Sequence, residues 1–162
     1  SKIPLIPVEK EIESLRNYLE LEQLRFKEKF DFDIKVGLGM EDDISLPPML
    51  IQPFVENAIL HGLALKAEKG KIEIAFSVEN NMLICKIEDN GIGREKSKEI
   101  KEQSLPGHKS MAMEITRKRL DMLEITTSKH AHLIIDDVMN ENQEVGGTCV
   151  IIDIPIQYIE AA

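Results

Sequence analysis

Alternating apolar and polar residues dominate the middle and the end of this chain. Alternation with period two is typical of half-buried strands. It predicts five strands, over residues 30–36, 71–78, 82–88, 132–138 and 148–156. Glu79-Asn80-Asn81 separates the second and third of these runs, which indicates a β-hairpin.

Four other segments are predicted to be helical, and in the longer ones apolar residues recur every three or four positions. Residues 7–29 carry Val8, Ile12, Leu15, Leu19 and Phe26 at this spacing. A second helix is predicted over 53–63, with Pro53 in its first turn, a short turn over 48–51 before it and Gly62 as its stop. A short helix over 93–100 and a longer one over 111–125 follow. Between them, residues 101–109 are expected to form a mobile loop that orders over a bound ligand.

This mixture predicts an α/β (α+β) two-layer sandwich, in which a mostly antiparallel mixed sheet packs on helices. The 162 residues are enough for one domain with a core. Hydrophobic residues make up 43% and charged residues 30%, the profile of a globular protein. We expect one domain over 1–162, with residues 1–30 as an entering helix and 31–162 as the core.

The acidic charge balance narrows the set of partners. The net charge is −9 and the pI about 5.0, which disfavours non-specific binding to nucleic acids or anionic membranes. No apolar run approaches the roughly 20 residues of a membrane span. Cys85 and Cys149 lie in strand-like runs and favour reduced thiols, as in the cytosol. The start at Ser1 suggests a fragment of a longer protein, although tag cleavage or processing would also explain it.

The stretch Asp89-Asn90-Gly91-Ile92-Gly93 directly follows a predicted strand. A carboxylate at a strand end can accept a hydrogen bond from an exocyclic amine, and glycines let backbone approach a flat ring. The same pentapeptide is also a common turn. About thirty residues upstream, Asn57 and His61 share one face of a predicted buried helix. An amide oxygen suits Mg²⁺, whereas the structural alternative is that Asn57 bridges neighbouring backbone.

Three motifs in this order resemble the ATP-binding domain shared by gyrase, heat-shock chaperones, sensor histidine kinases and mismatch-repair ATPases, the Bergerat or GHKL fold. They are the segment 52–62, the Asp89 motif, and Gly146-Gly147-Thr148. The resemblance implies ATP and Mg²⁺ as ligands, with Asn57 on the metal and Asp89 on the adenine amine. It places Gly91 and Gly93 under the base, and Thr148, preceded by Gly147, on a water shared with adenine.

The resemblance narrows to LytS-type sensor histidine kinases through three longer segments, at 17–26, 46–53 and 56–62. Such kinases transfer the γ-phosphate of ATP to a histidine on a dimerisation domain, and a response regulator then receives it. The resemblance therefore implies a cytoplasmic domain of a homodimeric, membrane-anchored parent. The acceptor motif of the family is absent here, so the chain is expected to be inactive alone.

Several positions depart from the wider family. Pro53 occupies the position of the gyrase-type general base, which disfavours a gyrase-type ATPase, while Glu56 is a candidate base toward an acceptor histidine. Leu60 stands where relatives often carry Lys or Arg, so His61 or Lys109 would have to contact that phosphate. The lid retains one glycine, and Lys109 and Ser110 are its candidate phosphate contacts. These departures leave open a non-catalytic, nucleotide-responsive module.

Overall fold

Five strands pair into one sheet in the computed structural model, which describes residues 4–37, 39–40, 43–104 and 112–158. In chain order the strands of the described residues are β1 (Ile6–Pro7), β2 (Phe30–Val36), β3 (Ile44–Leu46), β4 (Gly70–Glu79), β5 (Met82–Asp89), β6 (His132–Met139), β7 (Val145–Pro155) and β8 (Gln157–Tyr158). The large sheet has the order β2-β4-β5-β7-β6. Only the β2–β4 pair is parallel within it, which confirms a mixed, mostly antiparallel sheet.

The helices of the described residues are α1 (Val8–Arg25), α2 (Gln52–Ala58), α3 (Arg94–Ser104) and α4 (Ala112–Thr127). Helix α2 continues into a π-helical turn, Ile59–Leu63. None of these helices is long and apolar enough to cross a bilayer. The β4–β5 hairpin is confirmed, and Asn80 and Asn81 form its turn with φ values of 51° and 60°. Asparagine tolerates this left-handed backbone better than most residues.

The two faces of the sheet differ sharply in polarity. Alternate residues of β4, including Ile72, Ile74 and Phe76, are almost fully buried and belong to the single core cluster. Residues between them lie on the opposite face, where Glu73 pairs with Lys35 and Lys71 at 3.6 and 3.2 Å. Helices therefore cover one face only, and the predicted two-layer sandwich is confirmed.

Helix α1 contributes its apolar stripe to the same core. Val8, Leu15 and Leu19 are at most 3% exposed. The helix ends at Arg25, four residues before the predicted end, because Lys27 and Glu28 take φ values of 52° and 57°. A left-handed backbone cannot continue an α-helix.

Three other features of the structure differ from the sequence predictions. A second sheet, of order β1-β3-β8, has strands of two or three residues, too short to show a period. Gly62 does not stop the second helix, which runs on to Leu63 through the π-helical turn. Helix α3 extends to Ser104, so residues 101–104 are helical rather than loop, as suits the helix formers Lys, Glu and Gln. The rest of the expected loop, residues 105–109, lies outside the described residues.

Candidate functional site

A cavity of about 710 Å³ opens between the helical layer and the sheet. Helix α2 with its π-helical turn forms one wall, α3 another, and β5, β6 and β7 form the floor. Its volume falls in the range of small-molecule and cofactor sites. Among the predicted site residues, the cavity lining brings together Asn57, His61, Asp89, Gly93 and Thr148.

The π-helical turn lets this wall of the cavity pack closely against the Asp89 motif, residues 89–93. The amide of Ala64 donates to the carbonyl of Ile59 at 2.8 Å, which widens the helix by one residue. The carbonyl of Gly62 then accepts from the amide of Ile92 at 3.3 Å. A Cβ on Gly91 would lie 2.5 Å from the carbonyl carbon of Gly62. Only glycine allows these two backbones to meet, so packing against Gly62 explains the glycine at position 91.

Asp89 lies at the end of β5, where the strand reaches the cavity. Its side chain accepts from the amide of Gly91 at 2.9 Å, and the residue is 5% exposed. Burial raises the pKa of this carboxyl to about 6, although hydrogen bonds from the amides of Gly91 and Thr148 oppose the increase. The carboxylate thus faces the cavity as a strong hydrogen-bond acceptor that is costly to leave unpaired.

Strand β7 places Thr148 directly beside Asp89, because the two residues are partners in the β5–β7 register. Thr148 lines the cavity, and Gly147 precedes it with φ +139°. A Cβ at position 147 would collide with the carbonyl oxygen of Asp89. The glycine is therefore required for the strands to approach where the cavity floor forms.

Asn90, which sequence reasoning assigned no role, fixes the position of the turn. Its side-chain oxygen accepts from the amide of Lys71 at 2.7 Å, and its own amide donates to the carbonyl of Lys71 at 3.2 Å. The ammonium of Lys66 donates to the carbonyl of Asn90 at 2.7 Å. The turn is thereby attached to the start of β4. The sequence signal for this role was an asparagine in a predicted turn, because Asn side chains often bond to nearby backbone there.

Asn57 and His61 line the cavity from the opposite wall, and both are half-buried. Burial, assisted by the charge of Lys101, lowers the pKa of His61. The imidazole is therefore neutral at pH 7 and offers one N–H donor rather than a cation. No cluster of three His, Cys, Asp or Glu side chains that could hold a metal occurs in the described part of the chain. The amide oxygen of Asn57 fits a magnesium ion that takes its other ligands from phosphates and water.

Glu56 points elsewhere than its neighbour Asn57. Its carboxylate accepts from the side-chain amide of Gln52 at 3.1 Å, and its charge helps to raise the pKa of Tyr18 on α1, after burial and Glu22. Glu56 is not among the residues that line the cavity. The structure thus brings Asn57 but not Glu56 to the candidate ligand site.

Apolar side chains form the part of the cavity nearest the sheet. Ile87, Ile135 and Val150 come from three neighbouring strands, and Phe54 and Met113 come from α2 and α4. A flat aromatic ligand could be sandwiched against these side chains while its edge reaches Asp89. The alternation of apolar residues along the strands did not show which of them border a cavity.

Helix α3 adds five polar lining residues that sequence reasoning missed, namely Arg94, Ser97, Lys98, Lys101 and Glu102. Their spacing is helical, but the segment is polar on every side, so the sequence did not reveal the inward face. Lys109 and Ser110, the predicted phosphate contacts of the lid, lie outside the described residues.

The fold is that of histidine kinase catalytic domains. The catalytic domain of histidine kinase ThkA superposes with a TM-score of 0.60 at 16% identity, covering 96% of both chains. Full-length ShkA in complex with AMPPNP gives 0.65 at 15% identity, covering 99% of this chain and 33% of that one. ThkA in complex with the response regulator protein TrrA gives 0.56 at 16%, over 95% and 42% of the two chains.

Sequence relatives identify a narrower group within this class. Sensor protein LytS of Oceanobacillus iheyensis is 41% identical over 91 residues, which cover 56% of this chain and 15% of the relative. LytS of Enterococcus faecalis is 28% identical over 159 residues, covering 96% of this chain and 26% of the relative. No protein-family model matches the chain. The chain is homologous to a segment of the LytS sensor proteins and spans about a quarter or less of their length.

Proposed function

We propose that this domain binds Mg·ATP and transfers the γ-phosphate to a histidine on an adjoining dimerisation domain. The observation that carries the proposal is the buried carboxylate of Asp89, which faces a cavity of about 710 Å³ beside an apolar wall. A buried acceptor of this kind selects a ligand that offers a donor at the edge of a flat apolar ring. The adenine amine is such a donor, whereas guanine would present a carbonyl oxygen to the carboxylate.

The opposite wall suits the phosphates and their metal. Asn57 offers a neutral oxygen to Mg²⁺, and the neutral His61 offers one N–H donor. Gly93 lines the cavity and lets the backbone pass close to the base, whereas Gly91 and Gly147 allow the close backbone packing that positions Asp89. Thr148 lies next to Asp89 for a shared water. Lys109 and Ser110 remain proposed phosphate contacts at the end of the lid. When bound, Mg²⁺ would neutralise charge that develops on the transferred phosphoryl group.

Phosphotransfer is favoured over hydrolysis by the position of the carboxylates. Glu56 is bonded to Gln52 and does not line the cavity, and Pro53 provides no base. The carboxylates that line the cavity, among the described residues, are Asp89 and Glu102. Asp89 belongs to the base end of the site. An acceptor supplied from outside would reach Glu56 on the outer side of α2, where it could receive the acceptor's proton.

Known proteins support the wider setting of this proposal. The relatives are sensor proteins, ShkA has been solved with AMPPNP, and ThkA with a response regulator. We accordingly propose that residues 1–30 connect to the dimerisation domain of the same parent, while 31–162 bind ATP. The parent would be a homodimeric membrane-anchored sensor, with this domain in the cytoplasm and a response regulator as the final phosphate acceptor.

A second candidate is a nucleotide-responsive module without catalysis. Leu60 and the neutral His61 favour it, because neither residue brings a positive charge to the phosphate end of α2. Such a module would bind ATP with the same base preference but would not release ADP. The two candidates therefore differ in phosphotransfer and agree in binding.

Calorimetry and a transfer assay together test the proposal. We expect Mg·ATP to bind more tightly than Mg·GTP by about tenfold or more, as for one charged hydrogen bond. Asn57→Ala should remove the benefit of Mg²⁺. Glu88→Gln, which changes a partly exposed carboxylate next to Asp89 in the chain, should leave the preference intact. Equal affinity for the two nucleotides would contradict adenine recognition. Binding without phosphorylation of an added LytS dimerisation domain would favour the second candidate.

A further inference from the structure

The inward face of α3 carries three positively charged side chains. Arg94, Lys98 and Lys101 follow one another at four- and three-residue spacing and all line the cavity. Arg94 pairs with Asp137 at 3.3 Å. In the described part of the chain, no carboxylate lies within 4 Å of the ammonium of Lys98 or Lys101. Two lysines thus face the cavity without a partner, in a protein whose net charge is −9.

Lys101 is the more enclosed of the two. It is half-buried, and burial lowers its pKa, which shows that the protein surroundings disfavour its charge. Its charge also acts on His61, where it helps to lower the pKa of the imidazole after burial. A partly desolvated ammonium is costly unless an anion compensates it.

The positions of Lys98 and Lys101 indicate which part of a bound ligand they contact. Helix α3 packs against the π-helical turn Ile59–Leu63, so its inward face adjoins the wall that carries Asn57 and His61. Asp89 lies at the floor, where the strands end. Glu102 also lines the cavity and offsets one of the two free positive charges.

We propose that Lys101, assisted by Lys98, binds the β- and γ-phosphates of the nucleotide. This inference rests on the proposed function, since it assigns the charged end of the same ligand. Lys101 supplies a positive charge beside Asn57 and His61, and Lys98 lies one turn before it, closer to solvent. The inner face of α3 is thereby a phosphate-binding element of the site.

Comparing ligands with one, two and three phosphates tests whether Lys101 contacts the β- and γ-phosphates. Lys101→Gln removes the charge and keeps a similar side-chain length. We expect its affinity for Mg·ATP to fall by about tenfold, whereas its affinity for AMP stays within about twofold of the wild type. Lys98→Gln should show a smaller loss with the same pattern, and Lys101→Arg should restore most of the ATP affinity. Titration calorimetry with AMP, ADP and ATP measures each ratio.

Lys96→Gln is the matched control, because Lys96 is exposed on the outer face of the same helix and does not line the cavity. It changes the net charge equally and should leave the ATP to AMP affinity ratio unchanged. If Lys96→Gln lowers this ratio as much as Lys101→Gln, a general charge effect replaces the proposed contact. An unchanged ratio in Lys101→Gln would overturn the contact while the proposed function stands. A wild-type protein that binds no adenine nucleotide would overturn both.

Discussion

The carboxylate of Asp89 is subject to two opposing effects. Burial raises its pKa from 3.8 to about 6, so the folded domain favours the protonated acid below about pH 6. This contribution to stability is complete below about pH 4 and is lost as the pH rises through 6, and it corresponds to about 3 kcal/mol. The proposed recognition of adenine, in contrast, requires the ionised acceptor. The domain is thus less stable at neutral pH because it keeps a charge ready for a ligand.

The affinity for adenosine should therefore depend on pH with a midpoint near 6. Adenosine is the suitable ligand, because it has no phosphate that titrates in the same range. If only ionised Asp89 binds well, affinity should be about tenfold lower at pH 5 than at pH 7.5. Calorimetry at a series of pH values measures it.

Two variants separate this effect from general changes in the fold. Asp89→Asn removes the titrating group and should flatten the profile at low affinity. Glu88→Gln removes the neighbouring carboxylate, which pairs with Lys86 at 3.8 Å outside the cavity. It should keep a pH-dependent profile and lower the midpoint only slightly, because burial and not the charge of Glu88 is the largest cause of the raised pKa of Asp89. A wild-type profile that is flat between pH 5 and 7.5 would contradict the role of Asp89 as an ionised acceptor.

The turn at residues 48–51 precedes α2 and is hydrogen-bonded to side chains of α1 and α4. The guanidinium of Arg119 on α4 donates to the carbonyls of Pro48 and Met49, the latter at 2.9 Å. From α1, Glu11 accepts from the amide of Met49 at 3.2 Å. Burial raises the pKa of Glu11, although amides of the turn and the charge of Arg119 oppose this. The start of the helix that carries Asn57 is thus held from both sides.

Arg119→Lys should destabilise the domain although it keeps the charge. A lysine ammonium is a single point donor and cannot reproduce the fork that reaches two carbonyls. We expect a loss of about 1–2 kcal/mol, hence a fall in Tm of roughly 3–6 °C. Lys118→Ala, on the exposed neighbour, should change stability by less than about 0.5 kcal/mol. Equal Tm values for Arg119→Lys and the wild type would show that the guanidinium contacts are not needed.

The elements that the sequence predicted well are those with many repeats of their period. Strands β4 and β5 show several alternations each, and the Asn80-Asn81 turn supports their pairing. The parallel neighbour of β4 was not predictable, because β2 shows alternation but nothing about its partner. The sequence did not predict the π-helical turn, because the turn depends on a tertiary contact, the close packing of Gly62 against Gly91.

The fold of the whole molecule brings together two groups of cavity residues. Those of the first group belong to recognisable sequence motifs, and those of the second do not. Asn57, His61, Asp89, Gly93 and Thr148 stand in short motifs and meet in one cavity. Lys98 and Lys101 stand in no motif, and their inward direction depends on how α3 packs. Glu56 stands in the same motif as Asn57, but the fold bonds it to Gln52 and it does not line the cavity, so its proposed role as a base depends on an acceptor from outside.

The isolated chain should not phosphorylate itself. His132 lies five residues along β6 from Asp137, the partner of Thr148, so it is about 17 Å from that level of the cavity. His130 is bound through Nδ1 to Glu124 at 3.0 Å, and His108 lies outside the described residues. His61 lines the cavity, where we assign it to hold phosphate rather than receive it.

Incubation with ATP labelled at the γ-phosphate should leave the domain unlabelled, because the acceptor must approach from outside. Adding a LytS dimerisation domain with its histidine should place acid-labile label on that domain, and Asn57→Ala should prevent it. The same acceptor with its histidine replaced by glutamine serves as the control and should remain unlabelled. Acid-labile label on the domain alone, lost in His61→Gln, would show instead that His61 is an acceptor and that the substrate histidine lies within this chain.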